Sequence, residues 1–129
     1  MGGNMKTKAG IGIAGIVLIA AGTLSAPLAA NAALSQCNTG KACGWLNNNL
    51  DALLIERGSN TAYTSNTLGD ANDRISSVAN RGSKDMGWYT DINLQGSRLC
   101  NNSNSYYNSV GSFNDTFSSI IVYSNAVTC

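Results

Sequence analysis

Two hexapeptides of one frame, Asn72-Asp73-Arg74-Ile75-Ser76-Ser77 and Asn114-Asp115-Thr116-Phe117-Ser118-Ser119, stand 42 residues apart in the chain. Each places a carboxylate, a backbone carbonyl and hydroxyls close together, and all of these are hard oxygen donors. Calcium takes roughly six to eight such oxygens at about 2.3–2.6 Å and tolerates irregular geometry. One hexapeptide offers too few, so a cation site requires the two copies to complete each other. The same residues also suit a tight turn that binds no ion: the Asn caps it, and the first Ser, Ser76 or Ser118, pins a neighbouring hairpin.

Other chemistry is poorly provided for. The chain has no histidine and a single glutamate, Glu56, so nucleophile–base pairs and metal-hydrolase centres cannot be assembled. Asp70 and Asp73 form the nearest thing to an acid–base carboxylate pair, and their setting among Gly, Asn and Ser marks them as turn residues. No enzymatic activity is expected.

The start of the chain reads as an export signal. Lys6 and Lys8 precede an uncharged apolar stretch from Ile11 to Leu24, and Ala30-Asn31-Ala32 supplies the small-x-small cleavage site. That stretch is 14 residues long, short of the ~18 needed to span a bilayer. Residues 1–32 are therefore assigned to a signal peptide and 33–129 to one secreted domain. The domain has six basic and seven acidic side chains, which gives no electrostatic reason for a nucleic-acid or membrane partner. A monomer is expected.

All four cysteines, Cys37, Cys43, Cys100 and Cys129, follow the signal. An even count in a small exported domain points to disulfides rather than to metal or catalysis. Three pairings are open; Cys37 with Cys43 around a turn at Gly40 would leave Cys100 to tie down Cys129.

The elements around the hexapeptides are short strands. Candidates are Ala42–Leu46, Leu53–Glu56, Thr61–Tyr63 and Ile75–Asn80, then Met86–Thr90, Ser97–Cys100, Tyr106–Tyr107 and Phe117–Tyr123. Turn-forming Gly, Asn, Ser and Asp separate them, and no stretch after the signal keeps a helical apolar period. Superposing the hexapeptides sets Gly44-Trp45 against Gly87-Trp88 and Leu50 against Leu94 after a one-residue gap, so the repeat is a whole unit of about forty residues. Two sets of four strands predict an all-β fold, two Greek-key motifs (about 37–80 and 85–129) in an antiparallel sandwich.

Tyr89, Asp91, Asn93 and Gly96, an aromatic followed by x-Asp-x-Asn-x-x-Gly, precede the second Asn-Asp-x-x-Ser-Ser, and this combination resembles the βγ-crystallin Greek-key domain. The first unit departs from it, with Ala52 where glycine is usual. The resemblance implies two calcium sites of double-clamp type. Asp73 and Asp115 would reach across to the opposite site, Arg74 and Thr116 would give backbone carbonyls, and Ser76 and Ser118 hydroxyls. A further carbonyl would come from Thr90 in one unit and Asn47 in the other.

Cys37 and Cys43 near the domain's start, an aromatic immediately after, and Cys100 with Cys129 resemble the secreted Streptomyces-type metalloproteinase (peptidase) inhibitor family. That likeness implies an extracellular protease as partner, blocked by a disulfide-anchored loop mapping to Leu99, Cys100, Asn101 and Asn102. Asn101 departs from the bulky apolar residue that thermolysin-like enzymes favour there. Two other expectations follow from the fold: a calcium-stabilised structural module of the cell envelope, and a killer-toxin-like protein offering Trp88, Tyr106 and Tyr107 to a cell-wall partner.

Overall fold

Turn residues cut the chain into eight strands among the residues described by the computed structural model, 32–125. The expected signal segment through Asn31, and Cys129, lie outside them. The strands are β1 (Lys41–Asn47), β2 (Asp51–Gly58), β3 (Tyr63–Ser65), β4 (Ser77–Asn80), β5 (Met86–Tyr89), β6 (Arg98–Asn101), β7 (Ser105–Tyr107) and β8 (Ser119–Val122). Seven of them fall on the segments expected from sequence, while β3 lies two residues further along and shares only Tyr63 with the expected Thr61–Tyr63.

They pair antiparallel in two four-stranded sheets, ordered β2-β1-β4-β7 and β3-β8-β5-β6. The third strand of each motif is exchanged: β3 pairs with β8 of the second motif, and β7 with β4 of the first. Alternation along the strands fills the space between the sheets with Ile55, Val78, Met86, Trp88, Ile120 and Val122, and the hexapeptides add Ile75 and Phe117 just before β4 and β8. Trp88 is thus a core residue, 1% exposed and 5.6 Å from the Phe117 ring, and not a surface aromatic. Tyr106 and Tyr107 are exposed.

A second apolar cluster lies on the other face of the first sheet, where Cys43, Trp45, Leu50 and Ala79 are covered by Cys37 and by Ala33 and Leu34. The Trp45 indole Nε1–H donates to Gln36 Oε1 at 3.1 Å, fixing that cover.

Tyr63 packs against the main core with its hydroxyl buried and unpartnered. Burial pushes its phenol above the ordinary value, while the positive charge of Arg57 acts in the opposite sense. A raised folded-state value means that the unfolded chain ionises first, so stability is lost as pH climbs above about 10. Tyr63→Phe is expected to leave the neutral-pH urea midpoint unchanged or slightly higher and to reduce the alkaline loss. Midpoints for both proteins at neutral and alkaline pH check this; an undiminished alkaline loss in the variant would contradict it.

Candidate functional site

The hexapeptides sit at one end of the sandwich, each entered through a single 3-10 turn, Gly69–Ala71 and Gly111–Phe113. Both turns open on a glycine in the left-handed region, Gly69 at φ 58° and Gly111 at φ 59°. After the extended Asn, Asp73 and Asp115 each adopt φ 55°, a conformation that Asp tolerates better than most residues. This reversal carries each aspartate to the other motif. Asp73 N–H donates to Phe117 O and Asp115 N–H to Ile75 O, both at 3.0 Å.

The side chains repeat the crossing. Asn72 Nδ2 donates to Asp73 Oδ2, and Asn114 Nδ2 to Asp115 Oδ2, each at 2.8 Å. The remaining oxygens face the opposite serines, with Asp73 Oδ1 at 3.3 Å from Ser118 Oγ and Asp115 Oδ1 at 3.5 Å from Ser76 Oγ. These separations are long for O–H···O bonds, which centre near 2.7–2.8 Å. The same spacing would also suit two neighbouring ligands of a calcium ion, whose oxygens at about 2.4 Å and a right angle would lie roughly 3.4 Å apart. A carboxylate from one motif and a hydroxyl from the other, in both directions, is a donor set that fits a hard divalent cation.

Around the first crossed pair, Asp73, Thr90, Asp91, Asp115, Thr116 and Ser118 line one open depression. Asp91, part of the aromatic-x-Asp-x-Asn-x-x-Gly pattern but not among the expected ligands, brings a further carboxylate to the rim from the folded hairpin. Arg74, whose charge would oppose a cation, turns its guanidinium away to donate to Asp70 O at 3.0 Å.

The final serine of each hexapeptide, not the first, holds the hairpin. Ser77 Oγ donates to Asn47 O at 2.6 Å and accepts Leu50 N–H at 3.1 Å. Ser119 Oγ does the same with Asp91 O at 2.5 Å and Leu94 N–H at 3.0 Å. Asn47 is therefore the counterpart of Asp91, its carbonyl taken up by Ser77. Leu46 corresponds to Thr90, since the preceding carbonyls, Trp45 O and Tyr89 O, accept Ser76 N–H and Ser118 N–H respectively.

That correspondence corrects the sequence register. Trp45 pairs with Ser77 and Tyr89 with Ser119, so Trp45 answers Tyr89 and Gly44 answers Trp88. The two Gly-Trp dipeptides lie one residue out of step and point their indoles to opposite faces. Gly44 faces inward, where a Cβ would come within 2.9 Å of Ile75 Cδ1.

No gap remains in the hairpins. Asn49, Leu50 and Ala52 take φ 62°, 57° and 59°, and Asn93, Leu94 and Gly96 take 57°, 58° and 78°. Ala52 thus occupies a glycine conformation, and Ala52→Gly is expected to stabilise the domain by about 0.5 kcal/mol, the difference between relieved left-handed strain and added unfolded-state freedom. A lower melting temperature in this variant would count against the assignment.

The opposite end of the sandwich carries the disulfides. Cys37 is bonded to Cys43, and Cys100 is also disulfide-bonded, while Cys129 lies outside the described residues. Of the expected inhibitory segment, Leu99, Cys100 and Asn101 belong to β6 and pair with Trp88, Gly87 and Met86 of β5. Leu99 packs on the core and Asn101 is fully buried. Only Asn102 is exposed, at the start of the turn that leads into β7.

Comparison with known proteins agrees with this architecture. The structure resembles one from work on the evolution of the eye-lens βγ-crystallin domain fold, with TM-score 0.58 and 17% identity over 67% of this chain and 88% of that one. A βγ-crystallin from Ciona intestinalis matches with TM-score 0.56 and 19% identity over 65% of this chain and 100% of the other. A βγ-crystallin domain from Flavobacterium johnsoniae matches with TM-score 0.53 and 26% identity over 67% and 98%. No curated protein sequence matches the chain. These likenesses establish a βγ-crystallin fold. A family model for peptidase inhibitors covers residues 30–101, more than half of the 129-residue chain, and the chain accordingly belongs to peptidase inhibitor family I36, whose members bind proteases and are not themselves enzymes.

Proposed function

We propose that the protein is a secreted inhibitor of an extracellular metalloprotease and that bound calcium stiffens its scaffold. The observation that carries the inhibitory reading is the family match across the first motif and into β6. Disulfides at one end of a small β-sandwich support it, because a crosslinked surface has already lost the freedom that a flexible peptide gives up on binding. The test is titration of the secreted chain, disulfides formed, against thermolysin. Stoichiometric inhibition is expected; no inhibition at tens of micromolar protein would remove thermolysin-like enzymes as targets.

The calcium reading rests on the crossed pairs Asp73–Ser118 and Asp115–Ser76, with backbone carbonyls of Thr116 and Thr90 on one side and of Arg74 and Leu46 on the other. The ion would supply positive charge between oxygens that otherwise repel or stand idle. At a free concentration ten times Kd, each site would add about 1.4 kcal/mol of stability. Calcium is therefore expected to raise the melting temperature and a chelator to reverse the rise, with Asp73→Asn and Asp115→Asn each blunting it. A melting temperature indifferent to millimolar calcium would eliminate this reading.

A further inference from the structure

An open cavity of about 290 Å³ lies where the chain enters β1 and where it passes from β2 to β3. Thr39, Gly40 and Lys41 form one wall, and Gly58, Asn60, Thr61 and Tyr63 the other. None of the calcium donors and none of the disulfide-anchored segment takes part.

Backbone bonds hold the walls in place. Gly40 N–H donates to Arg81 O and Ser59 N–H to Gly40 O, both at 2.9 Å, and Lys41 pairs with Gly58 in the β1–β2 ladder. Asn60 Oδ1 accepts Ser83 N–H at 2.9 Å, which leaves the NH2 end of that amide to face Gly40. A Cβ on Gly40 would stand 2.6 Å from Asn60 Nδ2, so only glycine lets this donor sit at the wall. At Gly58 a Cβ would meet nothing within 4 Å, and a strand glycine with open space above it suits the close approach of a ligand.

The cavity is rich in donors. Among the described residues Lys41 Nζ has neither a hydrogen-bond nor an ion-pair partner, and no carboxylate lines the walls. Glu56, two residues before Gly58, is occupied by Asn38 Nδ2 at 3.1 and 3.2 Å. An ammonium and an amide NH2 with protons to spare are complementary to a carboxylate. Thr39 and Thr61 add hydroxyls, which both donate and accept, as the hydroxyls of a sugar do. The Tyr63 hydroxyl is buried, so that residue offers the cavity its ring rather than its polar tip. Carbon beside hydrogen-bonding groups matches the C–H face of a sugar ring. The volume suits a single ring; a bare phosphate or acetate would leave the threonines and Tyr63 unused.

We infer that this cavity binds a hexuronic acid, its carboxylate held by Lys41 and Asn60 and its hydroxyls by Thr39 and Thr61, with the ring seated on Tyr63. The site goes beyond the inhibitory and calcium readings and depends on neither.

The experiment titrates the full secreted chain, 15N-labelled and with disulfides formed, with sodium glucuronate. A chelator is present, so that no calcium on the hexapeptides bridges to the sugar acid. The Asn60 side-chain amide and the Thr61 backbone amide should shift and saturate with a Kd of about 1 mM. Glucose and acetate should each bind at least about tenfold more weakly. Lys41→Met should weaken glucuronate about tenfold or more, as should Asn60→Asp, which keeps the acceptor for Ser83 but sets a like charge against the carboxylate. Gly58→Leu, whose side chain enters open space, should fold and abolish binding, while Tyr63→Phe, which keeps the ring, should bind within about twofold. A tetrasaccharide ending in glucuronate distinguishes the source: tighter binding than the free acid assigns the site to a polymer end, equal binding to the free acid, and either supports the site. Glucose or acetate binding as tightly as glucuronate, Lys41→Met or Gly58→Leu binding like the wild type, shifts confined to other surfaces, or no saturation by about 20 mM glucuronate would each overturn it.

Discussion

Phe117→Ala is expected to lower the unfolding free energy by about 3–5 kcal/mol. The side chain is fully buried, tilted against Trp88 at 5.6 Å and stacked on Phe113 at 5.7 Å. Removing it opens a cavity among rigid rings that cannot close over the space. Small domains have about 5–15 kcal/mol in hand, so the variant should be marginal. The loss should also reach the hexapeptide, because the Phe117 carbonyl anchors Asp73 N–H. Urea unfolding followed by tryptophan fluorescence measures the change. A loss below about 1.5 kcal/mol would mean that Trp88 and Phe113 repack, contrary to this account.

The second large effect separates the paired serines. Ser77 and Ser119 are fully buried, and each hydroxyl serves both a carbonyl and an N–H of its folded hairpin. Ser77→Ala or Ser119→Ala should cost about 2–4 kcal/mol, since two backbone groups lose their partner at once. The costs should be similar because the hairpins share one geometry. Ser76→Ala and Ser118→Ala remove only the long contacts to aspartate and should cost less than about 1 kcal/mol without calcium, while abolishing most of the calcium response. Equal costs at all four positions would refute this division of labour.

Much of this was legible in the residues. The strands announce themselves because turn-rich segments of Asn, Gly and Ser leave few places for them, and the doubled hexapeptide fixes where the two motifs correspond. The Gly-Trp register was not legible. Trp45 is buried on an outer face because the segment around Leu34 and Gln36 folds over it, and nothing local announces that cover. The Asn47 assignment failed with that register, since the one-residue gap was placed inside a hairpin that has none. The 3-10 turns span three residues each, too few for any periodic signal. Asn101 reads as a polar surface residue, yet its carbonyl is met by Asn80 from the neighbouring motif, a partner 21 positions away.

The exchange of β3 and β7 between the sheets has a consequence for how the chain comes into being. Until Ser105–Tyr107 is available the first sheet lacks an edge strand, and until Ser119–Val122 is available β3 has no neighbour at all. A chain growing from its N-terminus therefore cannot complete either sheet until nearly all of it has been synthesised. Severed between Arg81 and Lys84, the two halves should remain unstructured separately and fold on mixing.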